Sequence, residues 1–153
     1  MSLEPIVREI EVARAPADAF RIFTEGFGTW WPADRFSMAA DDDGQAPDRV
    51  VFEPGHGGRI YEVWADGSEH DWGRVTAWEP PARVVFDWKP NDLDHPYTEV
   101  EVTFSPNASG GSLVRLEHRK WELLGADLGA RGREAYVNGW PYVLDERFGR
   151  AAA

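Results

Sequence analysis

Gly57-Gly58-Arg59-Ile60-Tyr61-Glu62-Val63-Trp64, a turn at Ala65-Asp66-Gly67-Ser68, then Trp72-Gly73-Arg74-Val75-Thr76-Ala77-Trp78, Glu79-Pro80-Pro81 and Val84-Val85-Phe86-Asp87-Trp88 read as three consecutive antiparallel strands. Asp-Gly between β-rich runs is a hairpin signal, and Pro80-Pro81 removes ladder donors where a second turn is needed. Aromatic and charged residues mix along these strands. That mixture suits a sheet with one wet face and one face closing over a cavity, so ligand binding is the first function the stretch suggests.

Working outward, Ile6 to Val12 alternates Ile6, Ile10 and Val12 against Arg8, Glu9 and Glu11 and reads as a first strand. Pro16 stands where a helix can begin, because an N1 proline loses no hydrogen bond it needed. Phe20 and Phe23 share a face of that helix, and Phe27, Trp30 and Trp31 extend the apolar surface across a glycine-punctuated turn, which predicts a short helical pair. Met38 to Pro47, with Asp41-Asp42-Asp43-Gly44, reads as a solvated loop; its aspartates lack the spacing and the downstream bidentate Glu of a calcium loop. Val50-Val51-Phe52 is a further short strand.

After a polar loop through Asn91 to Asp94, Thr98 to Phe104 gives the clearest alternation in the chain, with Val100, Val102 and Phe104 opposite Glu99, Glu101 and Thr103. A turn from Ser105 to Ser112 leads to Leu113–Arg119, where Val114, Leu116 and His118 share a face. The last element is helical from Leu128 to Phe148: Tyr136, Trp140, Leu144 and Phe148 recur every fourth residue, and Val137 and Val143 widen the stripe. Gly139 and Pro141 weaken an unsupported helix by about 1 and 3 kcal/mol, so this one needs a sheet beneath it.

A chain of 153 residues, 42% hydrophobic, fits one domain spanning 1–153. Its net charge of -11 repels a nucleic-acid backbone or an anionic membrane surface. The absence of cysteine excludes disulfides, thiolate metal sites and a cysteine nucleophile, and fits a reducing compartment. The first residues carry an acid and a proline where a signal peptide needs a basic and then an apolar stretch, and no run approaches the ~20 apolar residues of a membrane span. A cytoplasmic protein without nucleic-acid or membrane partners is expected.

Familiar catalytic and cofactor patterns are missing. Gly55-His56-Gly57-Gly58 precedes a strand and opens no helix, so it is a turn and not a phosphate loop. His56, His70, His95 and His118 are too scattered for a zinc site, and no nucleophile elbow is present. No metal and no cofactor is expected.

Strand, two short helices, six antiparallel strands and one long C-terminal helix make an α+β chain that resembles the helix-grip fold of the START-like (SRPBCC) superfamily. More narrowly it resembles the activator of Hsp90 ATPase homologue 1-like family. The matching residues are Gly57-Gly58-Arg59, Asp66-Gly67, Trp72-Gly73-Arg74-Val75, Glu79-Pro80-Pro81, Val84, Phe86 and Trp88, Leu116-Glu117-His118-Arg119, and Gly139-Trp140-Pro141 with Leu144. The resemblance implies a curved sheet wrapped around the last helix, with a pocket between them.

From the sheet, Ile60, Glu62, Trp64, Val75, Phe86 and Trp88 are expected to line that pocket, joined by Val102 and His118; from the opposite side come Trp30, Trp31, Tyr136 and Trp140. Gly73 and Ala77 are placed on the same inward face. If Ile60 and Trp64 face inward, period-two geometry takes Glu62 inward too, where a lone carboxylate is costly unless protonated, paired or hydrated. The alternative turns Tyr61 and Val63 inward. Three functions are compatible with this arrangement. The first is binding of a small hydrophobic or aromatic molecule. The second is a cyclase or isomerase using Glu62 and His118 as acid and base. The third is the co-chaperone role in the family's name, disfavoured because the eukaryotic activator adds a further N-terminal domain that this chain lacks. Exposed aromatic residues on the outer strands could support a homodimer.

Overall fold

Alternation along the strands decides the architecture. In the computed structural model, which describes residues 2–153, seven strands form one antiparallel sheet: β1 (Ile6–Val12), β2 (Arg49–Phe52), β3 (Arg59–Val63), β4 (Glu69–Glu79), β5 (Arg83–Trp88), β6 (Thr98–Pro106) and β7 (Ser112–Arg119). Their order is β1-β7-β6-β5-β4-β3-β2, so only β1 makes a long-range connection and the rest form a meander. The sheet curves into a half-barrel around a long C-terminal helix, the helix-grip fold. On β6 and β7 the register is as the alternation requires, with Val100 opposite His118, Val102 opposite Leu116 and Phe104 opposite Val114.

Two irregularities reset the inward face. The β3–β4 ladder pairs Ile60 with Gly73 but Tyr61 with Asp71, so Trp72 is inserted as an extra residue and its side chain is fully buried. Gly73 permits this: a Cβ there would lie 1.8 Å from the carbonyl oxygen of Asp87. A second shift falls between Val75 and Ala77. Beyond it Trp78, rather than Ala77, packs on the core, with its ring 5.0 Å from Phe20.

Three short helices, not two, follow β1: α1 (Pro16–Phe23), α2 (Phe27–Trp30) and α3 (Met38–Asp43). The segment expected to be a solvated loop therefore contains a helix. Ser37 caps it by accepting a hydrogen bond from the Ala40 N–H at 3.0 Å, and Gly44 ends it in the left-handed conformation with φ 77°. A serine, two alanines and a terminal glycine carried that signal; the triple Asp hid it.

The last helix, α4 (Ala126–Trp140), runs through Pro141 by widening to π-helical bonding over Pro141–Phe148 and closes with Gly149–Ala151. Trp140, Val143, Leu144 and Phe148 are buried, whereas Val137 is 41% exposed and lies outside the stripe. The centre of the half-barrel is filled by rings. Phe23 touches Phe27, Trp30, Phe86, Phe104 and Phe148 at centroid distances of 5.1 to 6.4 Å. No helix among the described residues is long and apolar enough to cross a membrane.

Candidate functional site

Because the aromatic core is closed, the open space lies at its edge. A cavity of about 240 Å³ opens between the C-terminal helix, the segment leading into α3, and the loop after β5. Trp31, Tyr136, Trp140 and Val143 make its apolar walls, and Arg35, Phe36, Ser37 and Asp41 form one rim. Pro90, Asn91 and Gly139 stand on the other side. The Trp31 indole donates to the Phe36 carbonyl at 2.8 Å, which ties the rim to the wall. Arg35 makes no ion pair among the described residues; its guanidinium lies 4.6 Å above the Tyr142 ring.

Of the residues expected to line a pocket, Trp31, Tyr136 and Trp140 do so. The others do not. Ile60, Val75, Phe86 and Val102 are core residues at 0–1% exposure. Trp30 is sealed in the core, donating its indole N–H to the Ile22 carbonyl at 3.0 Å. Trp64 is half-buried and stacks on His70 at 4.0 Å. Trp88 stands directly behind the cavity and acts through its N–H, as described below. The inserted Trp72 packs its ring against Phe27, Trp31 and Trp88 at 5.6 to 6.4 Å. Arg35, Phe36, Ser37, Pro90 and Asn91 escaped the sequence reading because they sit in loops, where no periodicity marks a face, and Asp41 because its helix was read as a loop.

Glu62 does face inward, fully buried, but it is saturated. Its Oε1 accepts from the Met38 N–H at 2.6 Å and the Trp72 indole at 2.8 Å; its Oε2 accepts from the Ala39 N–H at 2.9 Å and the Trp64 indole at 2.8 Å. Two donors are indoles, from Trp72 on β4 and from Trp64 just after β3, and two are N–H groups of the first turn of α3, which have no partner inside the helix. Such a carboxylate is a tether. Glu62→Gln keeps one acceptor oxygen and turns an NH2 toward N–H donors, so it is expected to cost about 2–4 kcal/mol in denaturant unfolding. A change under about 0.5 kcal/mol would contradict this account.

His118 is equally committed. Trp140 donates its indole N–H to Nδ1 at 3.1 Å, and Nε2 lies 2.8 Å from the Thr98 hydroxyl, which spends its own proton on the Trp88 carbonyl at 3.0 Å. His118 is therefore the neutral Nε2–H tautomer, donating to Thr98. Burial pushes its pKa down to about 3. Three strands separate β7 from β3 in the sheet, and no hydrogen bond joins His118 to Glu62 among the described residues. The expected acid/base pair is not assembled.

Besides the polar rim residues Arg35, Ser37, Asp41 and Asn91, the inner wall carries one polar group, the hydroxyl of Tyr136. Trp88 donates its indole N–H to the Tyr136 hydroxyl at 2.9 Å, and the hydroxyl's own proton has no acceptor among the described residues. Burial raises the phenol to about 12, against the smaller opposing pull of the Trp88 hydrogen bond, so it stays a neutral donor at physiological pH. A long helix gripped by a curved sheet is the fold, and residues 14–151 fit the family model described as activator of Hsp90 ATPase homolog 1-like protein.

The chain belongs to the activator of Hsp90 ATPase homolog 1-like family. It is 30% identical to an anthrahydroquino-γ-pyrone synthase, Txn09, over 99% of both chains, with a TM-score of 0.61. It is 27% identical to CalC, a self-sacrificing resistance protein from Micromonospora echinospora, over 97% of this chain and 93% of that one, with a TM-score of 0.70. The Aha1 dimer from Colwellia psychrerythraea, 16% identical over 95% and 97% with a TM-score of 0.58, shares the fold. No curated protein matches the chain. Within this activator of Hsp90 ATPase homolog 1-like family, the fold is one typical of ligand-binding proteins.

Proposed function

We propose that the protein binds a small planar aromatic molecule carrying an oxygen acceptor, in the cavity bounded by Trp31, Tyr136 and Trp140. The observation that carries this reading is the Tyr136 hydroxyl beside Trp31 and Trp140, held by Trp88 and with no acceptor for its own proton among the described residues. A hydroxyl on the cavity wall whose proton has no acceptor among the described residues can donate it to a guest carbonyl or phenol oxygen. A volume of about 240 Å³ lies just under the ~300–1,000 Å³ of usual small-molecule sites, which points to one or two rings. The name of the 30% identical pyrone synthase, an oxygenated fused aromatic, agrees in chemistry. The acid/base reading loses its support, since both of its groups are occupied by structural hydrogen bonds.

Calorimetric titration with 1,4-naphthoquinone tests the proposal, and the chain has no thiol for a quinone to alkylate. Micromolar affinity is expected, about -8 kcal/mol. Tyr136→Phe should weaken it roughly 5- to 10-fold, the worth of one hydrogen bond. Gly139→Leu should abolish it without harm to the fold, because a Cβ at 139 meets nothing within 4 Å and replacing a helical glycine adds about 1 kcal/mol of stability. No saturable binding by the wild type, or undiminished binding by Gly139→Leu, would overturn the reading.

A further inference from the structure

We infer that Glu62, though it lines no cavity, is the positioning residue of the binding pocket: its carboxylate fixes the segment 36–41 that forms one rim. The inference rests on the proposed function for its effect on affinity, and on the hydrogen bonds alone for its effect on the segment. α3 has six residues, too few to persist without tertiary support. Its attachment is short and specific. Met38 and Ala39 donate to the two oxygens of Glu62, while Trp64, the residue after β3, and Trp72 on β4 donate to the same oxygens and fix the carboxylate plane.

From there the order passes to the rim. Ser37, immediately before Met38, accepts from Ala40 N–H at 3.0 Å and donates its hydroxyl to the Ala33 carbonyl at 2.6 Å, closing the loop that carries Arg35 and Phe36. Asp41 follows one turn later, its N–H donating to the Ser37 carbonyl at 3.2 Å. Ser37 and Asp41 both line the cavity. A buried carboxylate on the sheet thus sets one side of a pocket it does not touch.

Two measurements on the full chain test this. In hydrogen exchange, Met38 and Ala39 amides have Glu62 as their acceptor, so Glu62→Gln should speed their exchange by about tenfold or more while β6 amides such as Val100 change only as global stability does. In calorimetry, Glu62→Gln should weaken 1,4-naphthoquinone by about tenfold or more, whereas Val114→Ala, a core truncation distant from α3, leaves the affinity of the folded protein unchanged. Glu62→Asp, which keeps both oxygens, should recover part of the loss. Should Glu62→Gln fail to fold, Trp64→Phe removes one donor from a half-buried position and should accelerate the same two amides. Unchanged exchange at Met38 and Ala39 overturns the inference. An equal affinity loss in Val114→Ala overturns it as well. If the wild type binds no naphthoquinone, the proposed function falls and the exchange result alone decides the tether.

Discussion

Replacing Trp140 by alanine is expected to lower the unfolding free energy by about 3–5 kcal/mol, as truncation of large core aromatics does. Trp140 is 2% exposed and packs against Trp31, Trp88, His118 and Tyr136 at 5.9 to 6.4 Å. It also holds the last helix to the sheet chemically, since its indole N–H supplies the only hydrogen bond to Nδ1 of the buried His118 among the described residues. Truncation leaves a cavity and strands that acceptor, which adds to the cost. Trp140→Phe separates the two effects: most of the volume stays, and about 1–3 kcal/mol should be lost for the acceptor. Denaturant unfolding of the three proteins checks this, and a loss below about 1 kcal/mol for the alanine variant would mean that the helix does not dock through this residue.

The second large effect is on pH dependence. His118 has a folded pKa of about 3, against an ordinary value of 6.5. Between those values the unfolded chain binds a proton that the folded one refuses, so stability rises with pH across that window and is lost as pH falls through it. The loss should be about 2 kcal/mol between about pH 7.5 and pH 5, and about 4 kcal/mol by pH 3. Carboxylates add their own losses mainly below about pH 5, so the upper part of the window isolates the histidine. His118→Asn, which offers an acceptor to Trp140 but does not titrate, should flatten the profile there. A wild-type profile that is already flat between about pH 7.5 and pH 5 would show that the folded protein protonates His118 as easily as the unfolded chain does.

Both effects trace to contacts that only folding creates. That Glu62 turns inward could be read from its place two residues after Ile60. That it is quenched by four donors could not, because two of them belong to a helix in a segment whose triple aspartate reads as solvated. The position of His118 beside Leu116 was equally legible, while its tautomer depends on Thr98 and Trp140, residues from β6 and α4. Trp72 is the instructive miss. Strict alternation puts it on the wet face, and a one-residue bulge permitted by Gly73 turns it into the core.

The sequence by itself determined the antiparallel sheet, the C-terminal helix that it grips and the family to which both belong, because period-two and period-four patterns are imposed by local backbone geometry and survive in one dimension. Only the tertiary structure decided where empty space remains and which polar groups face it. Eight tryptophans and eight phenylalanines can pack in many ways, and the void left over is the sum of all their contacts. Here that sum closes the centre of the half-barrel and leaves the opening at the edge of the helix, beside Tyr136.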